Sequence, residues 1–290
     1  MWKIETPASS ANLGPGFDCL GLALDLYNTF TVQPADETKL IGVEDRFNNN
    51  DNLFLQAYRK GCAAFGKERP LEVTFTTRIP VSRGLGSSSS LITAGITAAC
   101  LFNGKEVNKK EIFELAAEME GHPDNAAPCV YGGLCASSDE GGSILCELLP
   151  LDENWKFYVL IPDFEVSTEK ARGILPDVYP RAIAARNAAH AVLMVQALEN
   201  GDVSLLRKAA VDYIHEPYRR TLIHGYDTIR ALCTKQEGAF LISGSGSTCL
   251  FITKESLPQD VIENIANKKD PAWKCLLCQP AYEGTLWEYL

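Results

Sequence analysis

The chain has 290 residues, 46% hydrophobic and 22% charged, a globular composition whose length suits two domains, although one larger α/β unit also fits. Lysine and arginine number 27 against 37 aspartates and glutamates, a formal net charge of -10. No basic stripe is therefore available to displace counterions from a nucleic-acid backbone, which excludes nucleic acid as an expected partner. A nucleotide ligand is not excluded, because a local pocket with a divalent cation can hold a triphosphate on an acidic protein.

The start, Met1-Trp2-Lys3-Ile4-Glu5-Thr6-Pro7, lacks the charged and apolar regions of a signal peptide. The longest mostly apolar stretch, Leu91 to Phe102, carries threonines and a glycine and is too short to span a bilayer. The expectation is a soluble, cytoplasmic protein with no membrane partner. Its ten cysteines then read as reduced thiols rather than a disulfide framework. Cys275 and Cys278 form a lone CxxC with no second pair or nearby histidine to complete a zinc site, so packing is their expected role.

A short strand over the first eight residues is expected to lead into a loop, Pro7 to Asp18, whose glycines and proline call for special backbone angles. Strands follow at Asn28 to Pro34 and Lys39 to Val43. Asn50 or Asp51 is placed to cap a helix that runs to Phe65 and stops at Gly66. Leu71, Val73, Phe75, Thr77 and Ile79 alternate with the period of a half-buried strand. After a glycine-serine loop, Ile92, Ile96, Ala99 and Cys100 stand at helical spacing, and Gly104 supplies a stop. Asn108 with Glu111 resembles a capping box, opening a helix that buries Ile112, Leu115, Ala116 and Met119 and delivers the chain to Glu120-Gly121-His122-Pro123-Asp124-Asn125.

Strands near Ser143 to Leu148 and Phe157 to Ile161 bracket an acidic turn at Asp152 and Glu153, where the boundary between domains 1–152 and 153–290 is placed. Helices are expected near Ser167 to Leu175, Arg181 to Glu199, Asp202 to Ile214 and Gly225 to Lys235. Two strands then flank Ser243-Gly244-Ser245-Gly246-Ser247-Thr248, and a helix at Gln259 to Asn267 and a strand near Lys274 to Cys278 end the chain. This mixed order predicts an α+β fold, not a doubly wound parallel sheet.

The stretch Pro80-Val81-Ser82-Arg83-Gly84-Leu85-Gly86-Ser87-Ser88-Ser89-Ser90 joins a strand to a helix N-terminus. Glycines let backbone amides approach an anion, the following helix aims its unpaired N–H groups and positive dipole end at it, and serine hydroxyls add donors. No Gly-Lys-Ser or Gly-Lys-Thr is present, so this is not a Walker A loop. Other residues are ambiguous by themselves. Glu111, Glu114 and Glu118 read as a solvated helix face, His122 as a satisfied loop histidine, and Asn12 and Asp18 as turn residues. The small residues around Gly244 read as a tight hairpin.

Taken together, these segments resemble the GHMP kinase superfamily and, within it, the homoserine kinases. Pro7 to Asp18 is similar to the family's first motif and Pro80 to Ser89 to its ATP loop. Glu120 to Asn125 and Ser167-Thr168-Glu169-Lys170-Ala171-Arg172-Gly173-Ile174-Leu175-Pro176 resemble stretches particular to homoserine kinases, and Glu216-Pro217-Tyr218-Arg219 and Ser243 to Thr248 complete the set. The motifs occur in the family's order over almost the whole chain. Two positions depart from it: Ser247 stands where proline is usual, and four serines run where an alanine commonly intervenes.

The resemblance implies a GHMP kinase fold, with an N-terminal domain like ribosomal protein S5 domain 2 and a ferredoxin-like C-terminal domain. It implies ATP-dependent phosphorylation of the L-homoserine hydroxyl in threonine biosynthesis, with ATP wrapped by Pro80 to Ser90. Ser88 and Glu114 would hold Mg²⁺, a hard cation that takes oxygen ligands. Asn12, Asp18, His122, Thr168, Arg172, Arg219 and the backbone at Gly244 would surround homoserine, the arginines facing its carboxylate and Asp18 its ammonium. An amide, Asn125, stands where some relatives carry an aspartate base, so catalysis would rest on positioning and charge stabilisation. A homodimer is the family-level expectation. Three other readings stay open on sequence: a GHMP kinase for another alcohol, a catalytically dead ligand sensor, and a structural module.

Overall fold

Two sheets organise the chain, which the computed structural model describes over all residues 1–290. In chain order the elements of the first half are β1 (Trp2–Ala11), β2 (Leu20–Pro34), β3 (Lys39–Ile41), α1 (Leu53–Phe65), β4 (Leu71–Thr76), α2 (Ser87–Phe102), α3 (Lys109–Glu120), α4 (Pro123–Tyr131), β5 (Leu134–Asp139) and β6 (Ile144–Leu149). The second half adds β7 (Lys156–Pro162), α5 (Thr168–Gly173), α6 (Arg181–Asn200), α7 (Val203–Ala209), α8 (Glu216–Arg219), α9 (Tyr226–Cys233), β8 (Ala239–Ile242), β9 (Cys249–Thr253), α10 (Gln259–Ala266), β10 (Trp273–Cys278) and β11 (Leu286–Tyr289). The mixed sheet runs β11-β1-β2-β4-β3, with β5 also on β2 and β6 on β5. The second sheet is antiparallel, β10-β7-β9-β8. The architecture is α+β.

Local chemistry explains most boundaries. Asn52, not Asn50 or Asp51, caps α1 by accepting from the Phe54 amide, and Gly66 closes its C-terminus as expected. In β4, Leu71, Val73 and Phe75 are buried while Glu72 and Thr74 are half-buried, the alternation read from sequence. The Asn108 side chain accepts from the Lys110 amide to start α3 and donates to Glu111 at 3.4 Å.

Some boundaries differ from the sequence expectation. Pro7 to Ala11 is strand, not loop: β1 continues past Pro7 because a register shift between Pro7 and Ala8 accommodates a residue without an N–H. Pro123 to Tyr131, to which the sequence reading assigned no element, is helix α4. Pro123 occupies its first turn, and Pro128, lacking an N–H, leaves the Asp124 carbonyl without its helical bond. Gly21 of β2 fits beside that carbonyl, where a Cβ would lie 1.9 Å from it. Helix α7 ends at Ala209 rather than Ile214, since the Asp212 carboxylate captures the amides of Ile214, His215 and Glu216 and turns the chain.

The turn at Asp152 and Glu153 separates the strands of the two sheets, but the division 1–152 and 153–290 does not hold for the last strand. β11 crosses back and pairs antiparallel with β1, Trp2 opposite Tyr289. The largest hydrophobic cluster also joins the halves. It packs Leu20, Leu22 and Leu24 of β2 against Phe157 and Val159 of β7 and Leu250 of β9. The CxxC cysteines divide between clusters, Cys278 in this one and Cys275 against the far face of the second sheet, so both serve packing. No helix is long and apolar enough to cross a membrane.

Candidate active site

The seam between the halves opens into a cavity of about 540 Å³. Its floor is the segment between β4 and α2. Gly84 and Gly86 have φ of +73° and +65°, and the segment is pinned on both sides. The Ser9 amide of β1 donates to the Leu85 carbonyl at 3.1 Å, and from the second half the Thr248 amide donates to the Arg83 carbonyl at 3.1 Å. The Ser243 hydroxyl donates to the Gly84 carbonyl at 2.6 Å. A Cβ on Gly84 would lie 2.2 Å from the Ser243 carbonyl oxygen, so no other residue fits there. The first intrahelical bond of α2 is Ser90 N–H to Gly86 O, which leaves the amides of Ser87, Ser88 and Ser89 without helical partners at the positive dipole end. This is a cradle for an anion.

The cradle is narrower than the sequence suggests. Val81 to Gly84 and Gly86 to Ser88 line the cavity, whereas Pro80, Leu85, Ser89 and Ser90 do not. Leu85 is buried in the shared core. Ser90 shares a 2.7 Å hydrogen bond with Thr6 and accepts from Asn28 at 2.9 Å, and Ser89 donates to Glu120 at 2.7 Å. The last two serines of the run therefore brace the helix.

Glu114 is not in the cavity. It lies half-exposed on α3, 3.9 Å from Lys110 one turn earlier, and is the solvated-face residue its spacing suggested. The carboxylate that α3 delivers to the loop is Glu120, six residues on and turned to another side of the helix, with only 3% of its side chain exposed. Burial pushes its carboxyl up from the usual range, while His122 and the Ser88 and Ser89 hydroxyls pull it back. No lysine or arginine pairs with it. The signal in the sequence was its place at the head of Glu120-Gly121-His122-Pro123-Asp124-Asn125, a motif whose first residue had been assigned no role.

At one end of the cavity, Asn12, Asp18, His122, Asn125, Thr168, Arg172, Arg219 and Gly244 come together. Asn12 donates to the Gly244 carbonyl at 2.9 Å and accepts from the Asp18 amide at 3.1 Å. Arg172 binds Asp18 through two parallel bonds of 3.0 and 2.7 Å. Arg219, 2% exposed, donates to the carbonyls of Ala171 and Gly244. Burial and the neighbouring Arg172 bring its guanidinium down to about 10, still charged at neutral pH. Phe17 lies under both guanidiniums, 5.8 Å from Arg172 and 5.1 Å from Arg219.

His122 Nδ1 is 2.7 Å from the Asp124 carboxylate. Burial lowers its pKa, but Asp124 and Glu120 outweigh that, and the net direction is upward. The Asn125 carbonyl oxygen is already taken by the Ser9 hydroxyl at 2.8 Å. The cavity is also lined by Val43, Phe47, Asn49, Asn52, Phe75 and Leu91, with Glu44, Arg46 and Asp51 among them, so apolar faces, amides and charges alternate at that end. Nothing in the sequence reading singled out that end, because its residues come from separate elements with no shared motif.

Comparison with known proteins gives a consistent set of relatives. The N-terminal domain of the GHMP kinases matches residues 52–133, and their C-terminal domain matches residues 194–271. A homoserine kinase of Clostridium botulinum (strain ATCC 19397 / Type A) is 40% identical over 269 residues, covering 91% of this chain and 90% of its own. One from Aquifex aeolicus (strain VF5) is 40% identical over 264 residues, covering 88% of each chain. The crystal structure of homoserine kinase from Cytophaga hutchinsonii superposes with a TM-score of 0.87 at 26% identity, covering 99% of this chain and 96% of that one.

The glycine contacts make a direct test. Gly84→Ala is expected to weaken ATP binding by at least about tenfold, or ~1.4 kcal/mol, in titration calorimetry. Gly104→Ala, at a similar φ of +62° but with nothing within 4 Å, is expected to leave ATP affinity unchanged. Equal ATP affinity in wild type and Gly84→Ala would show that the cradle is not where the nucleotide binds.

Proposed function

The chain belongs to the GHMP kinase family and to its homoserine kinase branch, and on that premise we propose that it transfers the γ-phosphoryl group of ATP to the side-chain hydroxyl of L-homoserine, giving O-phospho-L-homoserine. Threonine biosynthesis is the implied setting, the cytoplasm the implied compartment and a homodimer the expected assembly. The observation that carries this reading is a single cleft with an anion cradle in its floor and, beside it, a pair of arginines facing an aspartate.

Asp18 and Arg172 satisfy each other. Both side chains are more than a third exposed, so the pair is loosely held. An α-amino acid can exchange partners with it, its ammonium meeting Asp18 and its carboxylate meeting Arg172 and Arg219. A neutral polyol supplies neither charge. With the head group so placed, the side-chain hydroxyl extends toward Asn125 and the mouth of the cradle.

The amides at the start of α2 hold the phosphates of ATP, and the end of the cavity that carries Val43, Phe47, Phe75 and Leu91 takes the base. The homoserine oxygen attacks the γ-phosphorus, an O–P bond forms, the bond to the bridging β–γ oxygen breaks, and ADP leaves. Asn125, an amide whose oxygen already accepts from Ser9, is not basic enough to take the proton, so it orients the acceptor. The hydroxyl proton passes to the transferring phosphoryl group.

Mg²⁺ fits this site at Ser88 and Glu120, not at Glu114. An all-oxygen pair, one of them a buried carboxylate with no lysine or arginine partner, suits a hard divalent cation that completes its shell with phosphates and water. When bound, it would neutralise charge on the transferring phosphoryl group.

A coupled ADP-release assay with Mg²⁺-ATP is expected to give the highest kcat/KM with homoserine among homoserine, threonine, serine, mevalonate, shikimate and galactose. Equal or better turnover of any non-amino-acid alcohol would sink the assignment. In the same assay Glu120→Gln should reduce kcat by about a hundredfold or more. It should not lower Tm, because a neutral amide is easier to bury and still accepts from Ser89. Glu114→Ala should behave as wild type, and the reverse ranking would return the metal to Glu114.

A further inference from the structure

The turn that carries Asn12 and Asp18 has a backbone that side-chain-bearing residues rarely adopt. Asn12, Leu13 and Asp18 have φ of +71°, +45° and +53°, with Gly14 at +69° between them. Such a turn persists only if its surroundings hold it. Within the turn, the Cys19 and Leu20 amides both bond the Gly16 carbonyl. The two carbonyls before it are met from the other half of the molecule. His215 Nε2 donates to Gly14 O at 2.9 Å, and Asn187 Nδ2 donates to Pro15 O at 2.8 Å.

Both donors are themselves fixed. Asn187 of α6, 8% exposed, accepts from the Tyr213 amide at 3.0 Å. His215, fully buried, gives its backbone N–H to Asp212 at 2.7 Å and stacks on Phe17 with ring centroids 5.4 Å apart. Its Nδ1 has no partner, so the ring carries its proton on Nε2. Burial keeps the imidazole neutral, down to about 4, against the pull of Asp212. An unpaired buried nitrogen costs stability that a plain aromatic ring would avoid. What the histidine adds is the Nε2 proton on Gly14. Phe17, held by this stack, is the ring beneath Arg172 and Arg219.

We propose that Asn187 and His215 are positioning residues: from the second half of the chain they clamp the turn at 12–18 and thereby set Asn12, Phe17 and Asp18 for the acceptor substrate. The proposal rests on the assignment of Asn12 and Asp18 to that substrate. Neither clamp residue lines the cavity, so their effect passes through the turn alone.

Three variants of the full-length enzyme test it: Asn187→Ala, His215→Phe, which keeps the stack and removes the donor, and His215→Gln, which keeps a donor. Asn187→Ala and His215→Phe are expected to raise KM for homoserine by about tenfold, the scale of one lost hydrogen bond, with KM for ATP within about twofold of wild type. His215→Gln should recover most of the loss. Amide hydrogen exchange over residues 12–20 should accelerate in the first two variants with no substrate present. If wild type does not use homoserine yet exchange accelerates, the substrate assignment fails and the clamp stands. If wild type uses homoserine but the variants match it in KM and exchange, or both KM values rise together, the clamp is overturned. Asn187, at the edge of the buried region, keeps the test open should His215→Phe not fold.

Discussion

Backbone against backbone, with no side chain between, is the contact on which the site depends. The segment around Gly84 meets the segment around Ser243 so closely that a single methyl group would collide with a carbonyl oxygen 2.2 Å away. Across that contact run the Thr248 amide to Arg83 and the Ser243 hydroxyl to Gly84. The anion cradle thus belongs to both halves of the molecule, and neither could move independently without breaking it. The shared hydrophobic cluster and the return of β11 to β1 act in the same direction, fixing the two sheets around one seam. A cleft built in this way needs little reorganisation to bring a nucleotide and an acceptor into line, which is where phosphoryl transfer gains most of its rate.

Charge is distributed along the cleft to match what each end holds. Amide dipoles and hydroxyls line the proposed phosphate cradle, and they bring no net charge. At the other end Asp18 and Arg172 cancel, while Arg219, tied to two carbonyls and resting on Phe17, remains as a fixed cation. Glu120 is the opposite case, a buried carboxylate whose only close partners are hydroxyls and a histidine. An arrangement in which one anion lacks a fixed cation beside a phosphate cradle is what a metal–nucleotide complex would complete.

Much of this was legible in the sequence, for identifiable reasons. The alternation of Leu71 to Phe75, the glycine-serine loop and the helix after it are local patterns, and local rules read them; the cap of α1 was read one or two residues early, at Asn50 or Asp51 instead of Asn52. The residues proposed for the acceptor come from separate motifs, and the fold gathers them around one cavity. What sequence could not show depends on distant contacts. β11 forms only because the tail returns to β1. The prolines of α4 look like breakers until one is seen in the first turn and the other beside Gly21. Spacing alone read Glu114 as a solvated face and only the resemblance gave it the metal, while nothing local says that Glu120 turns toward the loop; Ser89 and Ser90 differ from Ser87 and Ser88 only in the direction the helix turns them. His215 and Asn187 carry no motif logic of their own, since their partners are carbonyls some 170 to 200 positions away in the chain.

The most direct test of the shared cleft is a crystal structure of the protein with Mg²⁺, a non-hydrolysable ATP analogue and homoserine. The predicted result has the triphosphate along the amides from Gly84 to Ser88, the metal at Ser88 and Glu120, and the amino-acid head group between Asp18 and the two arginines, with its hydroxyl beside Asn125. Homoserine bound elsewhere, with the Asp18–Arg172 pair intact, would contradict it.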